Sequence, residues 1–281
     1  MSELRTLVDG RGLVESPRWH DGRLYYCDWS AGEILTTAPD APDAPNEVIA
    51  RVASLPLCIA FLPDGTLIAV DSPTGRLLRV APDGTLSTHA DLGRPGWNDI
   101  AADTRGHLYV NGAGFDPMSG ADFAPGQVTL VAPDGSVRPA ADDIAFPNGM
   151  AVTPDDTTLL VADSYRHHLL AFDITADGSL TNRRVWADLG TDVPDGICVD
   201  AEGAVWYADV PNRHCTRVTE GGEVLQTVPL DRGGFACALG GSTLYITAAT
   251  WQGMTEAEMV TPGSGRVLAI DVDVPGPQPR G

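Results

Sequence analysis

The chain has 281 residues, with 38 acidic against 18 basic side chains and a formal net charge of −20. A charge of that sign repels nucleic-acid phosphates and anionic membrane surfaces, which argues against both as partners. The length is compatible with one all-β domain that buries an ample core.

The amino-terminal segment and the cysteines indicate the compartment. Residues 1–10 contain no apolar run of the length that a signal peptide needs, and no later segment approaches a membrane span. We therefore expect a cytoplasmic protein. The cysteines are odd in number and form no Cys-x-x-Cys pair, so they predict neither disulfides nor a zinc site. We expect reduced, mostly buried thiols at Cys27, Cys58, Cys198, Cys215 and Cys237.

One sequence unit recurs six times along the chain. Each copy contains a short apolar run, a turn with Gly or Asp-Gly, a second apolar run and then a third. When the copies are aligned, their first residues are Glu15, Leu57, Asn98, Asn148, Asp195 and Phe235. The copies follow one another every 40 to 50 residues, which is the period of propeller blades.

Turn signals separate the apolar runs within the units. Asp-Gly pairs between two β-prone runs predict hairpins, because both residues tolerate the positive φ of tight turns. Such pairs occur at 64–65, 83–84, 134–135 and 177–178. No segment shows a sustained helical period, so the chain is predicted to be an all-β, six-bladed β-propeller. The Gly/Pro/Asp-rich stretch 112–126 is expected to be a surface or channel-mouth loop.

The two ends of the chain are expected to close the ring. Six blades leave exposed edges unless the first and last blades join. Residues 5–8 are β-prone and precede the first full unit, so we expect them to form the outer strand of the last blade, which ends with the run 266–272. Residues 1–281 would then form a single domain, with a frayed Pro-rich tail at 275–281.

The aligned first residues predict the site. All six occupy the same place near the start of an innermost strand, so they should point toward the central axis. Four of them carry side-chain oxygens, namely Glu15, Asn98, Asn148 and Asp195. Leu57 and Phe235 should form the apolar side of the channel.

A cluster of two carboxylates and two amides is costly when it is dry and unpaired. A divalent cation bound by the four residues would remove that cost. Oxygen ligands suit Ca²⁺, Mg²⁺ or Mn²⁺, and Zn²⁺ also accepts carboxylates. Taken singly, Asp195 and Asn148 are also compatible with turns, Glu15 with a strand end and Asn98 with a cap. Only their shared register predicts a metal site.

The motifs around these positions resemble the SMP-30/gluconolactonase/regucalcin-like family of six-bladed propellers over essentially the whole chain. The matching motifs are Glu15-Ser16-Pro17, Asn98-Asp99, Asn148-Gly149 and Asp195-Gly196. The resemblance implies metal ligation by Glu15, Asn148 and Asp195, with Asn98 facing the substrate and the metal's water.

The resemblance also implies lactone hydrolysis at this centre. The metal would polarise the lactone carbonyl, and Asp195 or the lowered pKa of a metal-bound water would supply hydroxide. The chain lacks Gly-x-Ser-x-Gly and His-Glu-x-x-His, which disfavours serine hydrolases and zincins. His107, His167 and His168 are interpreted as ordinary strand or loop residues.

The chain departs from the family where the substrate would bind. Lactone-hydrolysing members often carry an Arg two residues before the Asn that corresponds to Asn98, but here that position is Gly96, with Arg94 nearby. A sugar-acid lactone is therefore one alternative among related small lactones. The residues expected to contact the substrate or to line a more apolar channel mouth are Arg94, Trp97, Asn98, Tyr165, His167 and Trp251.

Two other functions stay open at this point. The same metal centre is compatible with phosphotriester hydrolysis or with a lyase or cyclase step, because a fold and a Lewis acid do not fix the substrate. A non-catalytic propeller that binds a ligand around a structural ion is the other alternative. In each case we expect a monomer or weak homodimer with a small-molecule partner.

Overall fold

The structure, a computed structural model, describes residues 3–39 and 46–277. Within them, six antiparallel sheets of four strands each are formed. The innermost strands of neighbouring sheets contact one another all the way round, so the six sheets are the blades of a closed ring. The prediction of an all-β, six-bladed propeller is confirmed.

The strands follow the chain in simple order. Strand β1 spans Arg5–Arg11. The first blade contains, from inside outward, β2 (Val14–His20), β3 (Arg23–Asp28), β4 (Glu33–Thr37) and β5 (Glu47–Arg51). The second contains β6 (Ile59–Phe61), β7 (Leu67–Asp71), β8 (Arg76–Val80) and β9 (Leu86–Asp91). The third contains β10 (Ile100–Ala102), β11 (Leu108–Gly112), β12 (Gly126–Val131) and β13 (Val137–Ile144).

The remaining blades repeat this arrangement. The fourth contains β14 (Pro147–Val152), β15 (Thr158–Asp163), β16 (His168–Ile174) and β17 (Leu180–Asp188). The fifth contains β18 (Pro194–Val199), β19 (Val205–Asp209), β20 (His214–Val218) and β21 (Val224–Pro229). The sixth contains β22 (Gly233–Gly240), β23 (Thr243–Ala249) and β24 (Gly265–Asp271), with β1 as its outer strand. A short helix, α1 (Glu256–Met259), lies in the loop before β24.

The sixth blade joins the two ends of the chain. Strand β1 pairs antiparallel with β24, for example Arg5 with Ala269. The start of the tail is not frayed as expected, because the Pro275 carbonyl accepts a hydrogen bond from Ala201 N and Gly276 N donates to the Gly241 carbonyl. The rest of that tail, residues 278–281, lies outside the described residues.

The Asp-Gly hairpins form as predicted, but the aspartate and glycine have different roles. Gly65 has a φ of 79°, whereas Asp64 is not among the described residues with positive φ. The Asp64 carboxylate instead accepts a hydrogen bond of 2.9 Å from Thr66 N. Glycine therefore supplies the left-handed conformation, and aspartate stabilises the turn through its side chain.

Aspartates at the end of the second strand hold the backbone that leads into the inner strands. Asp163 accepts hydrogen bonds from Ala145 N at 2.9 Å and Phe146 N at 3.0 Å, just before β14. Asp209 accepts one of 2.8 Å from Val193 N, just before β18. Because β14 and β18 carry predicted site residues, these bonds fix the backbone from which the site is built.

The core lies between neighbouring blades, where apolar side chains of adjacent sheets pack together. All five cysteines are free thiols, and all except Cys198 are buried. No helix in the described part of the chain is long and apolar enough to cross a membrane.

Candidate active site

A cavity of about 980 Å³ opens at one end of the central channel. Glu15, Asn98, Asn148 and Asp195 all line it, so the structure brings the four predicted ligand residues to one place. Phe235 lines it as expected. Leu57 does not, because it is fully buried between the first and second blades.

The backbone at three of these positions is irregular. The regular pairing of the inner strand shifts between Glu15 and Arg18 in β2, and it shifts in the same way just after Asn148 in β14 and Asp195 in β18. Bulges of this kind bend a strand and redirect its side chains, and they are frequent beside active sites. The irregularity therefore coincides with three of the four predicted ligand residues.

The glycines after Asn148 and Asp195 allow the inner strands to approach closely. A Cβ on Gly149 would lie 2.5 Å from the Asp195 carbonyl oxygen, and one on Gly196 would lie 2.2 Å from the Ala236 Cβ. Both distances are too short for any other residue. The Asn-Gly and Asp-Gly motifs at these positions therefore serve close strand packing rather than hairpin turns.

Hydrogen bonds connect the two amides to a serine that the sequence did not single out. Asn98 Nδ2 donates to Asn148 Oδ1 at 3.3 Å, and Asn148 Nδ2 donates to Ser164 Oγ at 3.4 Å. Ser164 Oγ in turn donates to the Pro194 carbonyl at 2.7 Å, next to Asp195. Ser164 thus orients Asn148 and ties the fourth blade to the fifth at the site.

The two carboxylates lie in an environment that disfavours their charge. Burial raises the pKa of Glu15 well above its ordinary value, and the negative charges of Asp195 and Asp99 raise it further. Burial also raises the pKa of Asp195, followed by the charges of Asp99 and Asp209, although a hydrogen bond from Asn148 opposes this. Additional positive charge at this place would lower both pKa values, and a bound cation would supply it.

An ion pair between Arg18 and Asp99 lies behind these carboxylates. Arg18 Nη2 is 2.8 Å from Asp99 Oδ1, and Asp99 Oδ2 accepts a hydrogen bond of 2.8 Å from Met150 N. Neither Arg18 nor Asp99 lines the cavity. The positive charge of Arg18 lowers the pKa of Glu15, but less than burial and the neighbouring carboxylates raise it.

Of the predicted substrate contacts, Arg94, Tyr165, His167 and Trp251 line the cavity. The prediction for Trp97 is wrong. Its side chain is only 1% exposed and packs in the core between the second and third blades.

Trp97 still has an indirect connection to the cavity. The Arg94 guanidinium carbon lies 4.2 Å from the centre of the Trp97 ring, which is a cation–π contact. A Cβ on Gly96 would lie 3.5 Å from Arg94 Nη1. The guanidinium of Arg94 therefore lies beside Gly96, the position at which lactone-hydrolysing members of the resembled family often carry an arginine.

Three aromatic side chains that line the cavity form what we call the aromatic wall: Phe115, Phe146 and Tyr165. Phe123 packs against Phe115 and Tyr165 but lies outside the cavity lining. The rings of Phe146 and Tyr165 stack with centroids 4.6 Å apart. Sequence reasoning had proposed only Tyr165. Phe115 and Phe123 come from the loop between β11 and β12, which was predicted to reach the surface or channel mouth.

A second group of ionisable side chains lies near the rim but not in the cavity lining. Atoms of Asp192, Asp209 and His214 lie within 4.8 Å of one another. His214 Nε2 is 3.4 Å from Asp192 Oδ2, which also accepts a hydrogen bond from the Tyr207 hydroxyl. Because Asp209 already accepts bonds from Val193 N and Asn212, we interpret this cluster as a structural network.

Comparison with known proteins identifies the family. Residues 13–250 match the model of the SMP-30/Gluconolactonase/LRE-like region. The chain belongs to this family, as the motifs suggested.

Several relatives extend over most of the chain. Regucalcin from Xenopus laevis is 29% identical over 275 residues, covering 92% of this chain and 90% of the relative. A pentonolactonase from Haloferax volcanii is 26% identical, and the match covers 98% of this chain and 96% of the relative. A 6-deoxy-6-sulfogluconolactonase from Pseudomonas putida is 29% identical, and the match covers 70% of this chain and 67% of the relative. These relatives support a lactonase-family role.

Solved structures share the fold. A luciferin-regenerating enzyme aligns with a TM-score of 0.82 at 19% identity, covering 98% of this chain and 97% of the other. A gluconolactonase from Xanthomonas campestris aligns with a TM-score of 0.78 at 23% identity, covering 98% and 90%. At these identities the likeness concerns the propeller architecture.

Proposed function

We propose that this protein is a metal-dependent hydrolase that opens a small lactone, of a sugar acid or a related compound, with an activated water molecule. The observation that carries the proposal is the convergence of Glu15 and Asp195 with Asn98 and Asn148 at the inner end of one cavity. The lactonase names of two relatives support the reaction class.

The donor set fits one divalent ion. Two carboxylates and two amides offer oxygen ligands, which suit Ca²⁺, Mg²⁺ or Mn²⁺ and are compatible with Zn²⁺. Glu15, Asn148 and Asp195 would hold the ion, with Asn98 bound directly or through water. Such an ion would polarise the lactone carbonyl and make a nearby water molecule more acidic.

Asp195 is the residue that we assign to proton transfer. Its carboxylate would accept a proton as the water oxygen bonds to the carbonyl carbon, and it would return that proton to the ring oxygen when the ring C–O bond breaks. The products are then one hydroxy acid, with all atoms of lactone and water retained. Asn148 holds Asp195 by a hydrogen bond, which fixes the direction of the carboxylate.

We assign Arg94 to binding an oxygen atom of the substrate. Its guanidinium lines the cavity, and no carboxylate of the described chain is paired with it in an ion pair. It donates one hydrogen bond, to the Pro95 carbonyl, and retains other N–H groups for a ligand. Arg94 would hold a substrate hydroxyl or carbonyl while Asn98 faces the reacting end.

The proposal is tested by following proton release from a panel of lactones after treating the protein with a chelator. Activity should disappear with the chelator and return when Ca²⁺, Mg²⁺, Mn²⁺ or Zn²⁺ is added singly. A matched phosphotriester panel tests the other metal-dependent hydrolysis. Full lactone turnover without any ion would contradict the proposal, and so would phosphotriester turnover in the absence of lactone turnover.

A further inference from the structure

The walls of the cavity differ in chemistry from its inner end. The inner end carries the carboxylates and amides, whereas the aromatic wall lines the cavity farther out. Trp29, Trp251, Met254 and Met259 also line the cavity. Met118, from the same loop as Phe115 and Phe123, packs in one apolar cluster with Trp251 and Met259.

The aromatic wall keeps apolar surface exposed. Tyr165, which lines the cavity, is 46% exposed, and Phe123, which packs beside it outside the lining, is 57% exposed. Large side chains of this kind are ordinarily buried, and exposed apolar groups gathered at a cavity indicate a binding surface. A ligand that covers the wall would remove this surface from water.

Hydroxyl-binding groups are few above the inner end. Among the described residues that line the cavity, the ionisable side chains besides Glu15 and Asp195 are Arg94, Asp116, Tyr165 and His167, and the serine hydroxyls are those of Ser72 and Ser164. Ser164 Oγ is already hydrogen-bonded to Asn148 and to the Pro194 carbonyl. His167 Nδ1 is already 2.9 Å from the Asp192 carbonyl. A polyol bound here would lose water at several hydroxyls without enough protein partners to replace it, which costs affinity.

The size of the cavity agrees with a larger ligand. Its volume of about 980 Å³ is at the upper end of the range of roughly 300–1,000 Å³ that accommodates drug-sized ligands. A bare five- or six-membered lactone would fill only a small part. The remaining volume is bounded chiefly by aromatic rings, methionines and prolines.

We infer that the substrate is a lactone carrying a bulky apolar substituent, such as an aryl group, rather than a polyhydroxylated sugar lactone. This inference rests on the proposed function, because it places the lactone ring at the inner end beside Asp195. The apolar substituent then lies against Phe146 and Tyr165, whose stacked rings form the centre of the aromatic wall. Arg94 binds a substrate oxygen close to the lactone ring.

The kinetic test compares γ-phenyl-γ-butyrolactone, γ-butyrolactone and glucono-1,5-lactone with a saturating divalent ion. Burial of the phenyl group should raise kcat/KM about 30-fold over γ-butyrolactone. The kcat/KM for glucono-1,5-lactone should be lower than that for γ-phenyl-γ-butyrolactone. Equal or higher kcat/KM for glucono-1,5-lactone would overturn the inference.

Variants connect this preference to the aromatic wall. Tyr165→Ser should lower the ratio of kcat/KM between γ-phenyl-γ-butyrolactone and γ-butyrolactone about 10-fold, since it removes one apolar face. The substitution should leave the fold intact because Tyr165 is half exposed. Val185→Ala, an exposed site on the outer strand β17, is the control and should leave the ratio unchanged. An unchanged ratio in Tyr165→Ser would also overturn the inference.

A binding measurement separates this inference from the proposed reaction. 3-Phenylcyclopentanone and cyclopentanone replace the ring oxygen by carbon, so they cannot be hydrolysed. Calorimetry should show the phenyl ketone binding about 30-fold more tightly, with the difference reduced in Tyr165→Ser. If this holds while no lactone is hydrolysed, the proposed reaction fails and the binding preference stands. Equal affinities for the two ketones would contradict the preference itself.

Discussion

The guanidinium of Arg18 lies 2.8 Å from the carboxylate of Asp99. The pair connects the inner strand of the first blade to the third blade, next to the buried carboxylates of Glu15 and Asp195. The charge of Asp99 raises the pKa of both carboxylates, and the charge of Asp195 raises the pKa of Glu15 further. Arg18 therefore offsets part of the negative charge of this acidic cluster.

Removing that charge should destabilise the protein. Arg18→Met leaves Asp99 buried without its cation, which should cost about 3 kcal/mol in the free energy of unfolding. Urea unfolding measures the loss, and a divalent ion should reduce it by supplying positive charge. Arg51→Met breaks an exposed pair with Glu33 and should cost only about 0.5 kcal/mol. Equal losses in the two variants would show that Arg18 has no special role.

Asp195 and Glu15 should respond differently to substitution. Asp195→Asn retains an oxygen ligand but removes the group that accepts a proton, so turnover should fall by orders of magnitude even with excess ion. Glu15→Gln should lose activity chiefly through weaker ion binding, and it should recover at high ion concentration. Recovery of Asp195→Asn by added ion alone would assign Asp195 to ligation and the proton transfer to another group.

Arg94 should affect substrate binding more than the chemical step. Arg94→Met removes the guanidinium that stacks on Trp97 and faces the cavity. Loss of a charge-assisted hydrogen bond should raise KM roughly 10-fold to 100-fold, with a smaller effect on kcat. Arg76→Met, at an exposed arginine outside the cavity lining, is the matched control for lost charge. A similar KM for both variants would exclude Arg94 from substrate binding.

Much of the fold could be predicted because local signals repeat. The turn at Asp64-Gly65 combines a glycine with positive φ and an aspartate that accepts a backbone hydrogen bond. Equivalent Asp-Gly pairs separate strands in other blades. The repeat period of the sequence is therefore enough to predict the propeller architecture. The same register predicts that Glu15, Asn148 and Asp195 meet at the axis.

The rest of the site depends on contacts between distant parts of the chain. Ser164 follows Asp163 at the end of β15, where aspartate ends the second strand in several blades. Aligning the blades at these aspartates would have placed Ser164 directly after the end of a second strand and so indicated it as a candidate. The aromatic wall joins Phe115 of a long loop to Phe146 of the next blade, and no sequence period reports such a contact.

The error at Trp97 has a simple structural cause. Asn98 and Asp99 continue the pairing with Asn111 of β11, through Asn98 N to the Asn111 carbonyl and Asn111 N to the Asp99 carbonyl. Side chains alternate along such an extended segment. Since Asn98 faces the cavity, its neighbour Trp97 faces the core.

Acid should weaken the protein partly through its hairpin turns. Hydrogen bonds from the residue two positions on lower the pKa of Asp64, Asp83 and Asp134 below the ordinary value of 3.8. A lowered folded-state pKa contributes stability above pH 3.8 that is lost as the pH falls through the folded value.

The triple variant Asp64→Asn, Asp83→Asn, Asp134→Asn tests this effect. Asparagine retains the side-chain acceptor but does not titrate, so the variant should lose less stability than the wild-type chain as the pH falls below about 4. Thermal unfolding of both proteins from pH 6 to pH 3 measures the difference. Parallel curves throughout that range would show that the turn aspartates make no contribution to acid sensitivity.

Calorimetric titration of a divalent ion into chelator-treated protein tests the central claim most directly. The account predicts one ion per wild-type chain, and binding weakened by orders of magnitude when Glu15→Gln and Asp195→Asn are combined. The control variant Asp134→Asn changes an exposed carboxylate and should bind the ion as the wild type does. Failure of Ca²⁺, Mg²⁺, Mn²⁺ and Zn²⁺ to bind the wild-type chain, or undiminished binding by the double variant, would contradict the account.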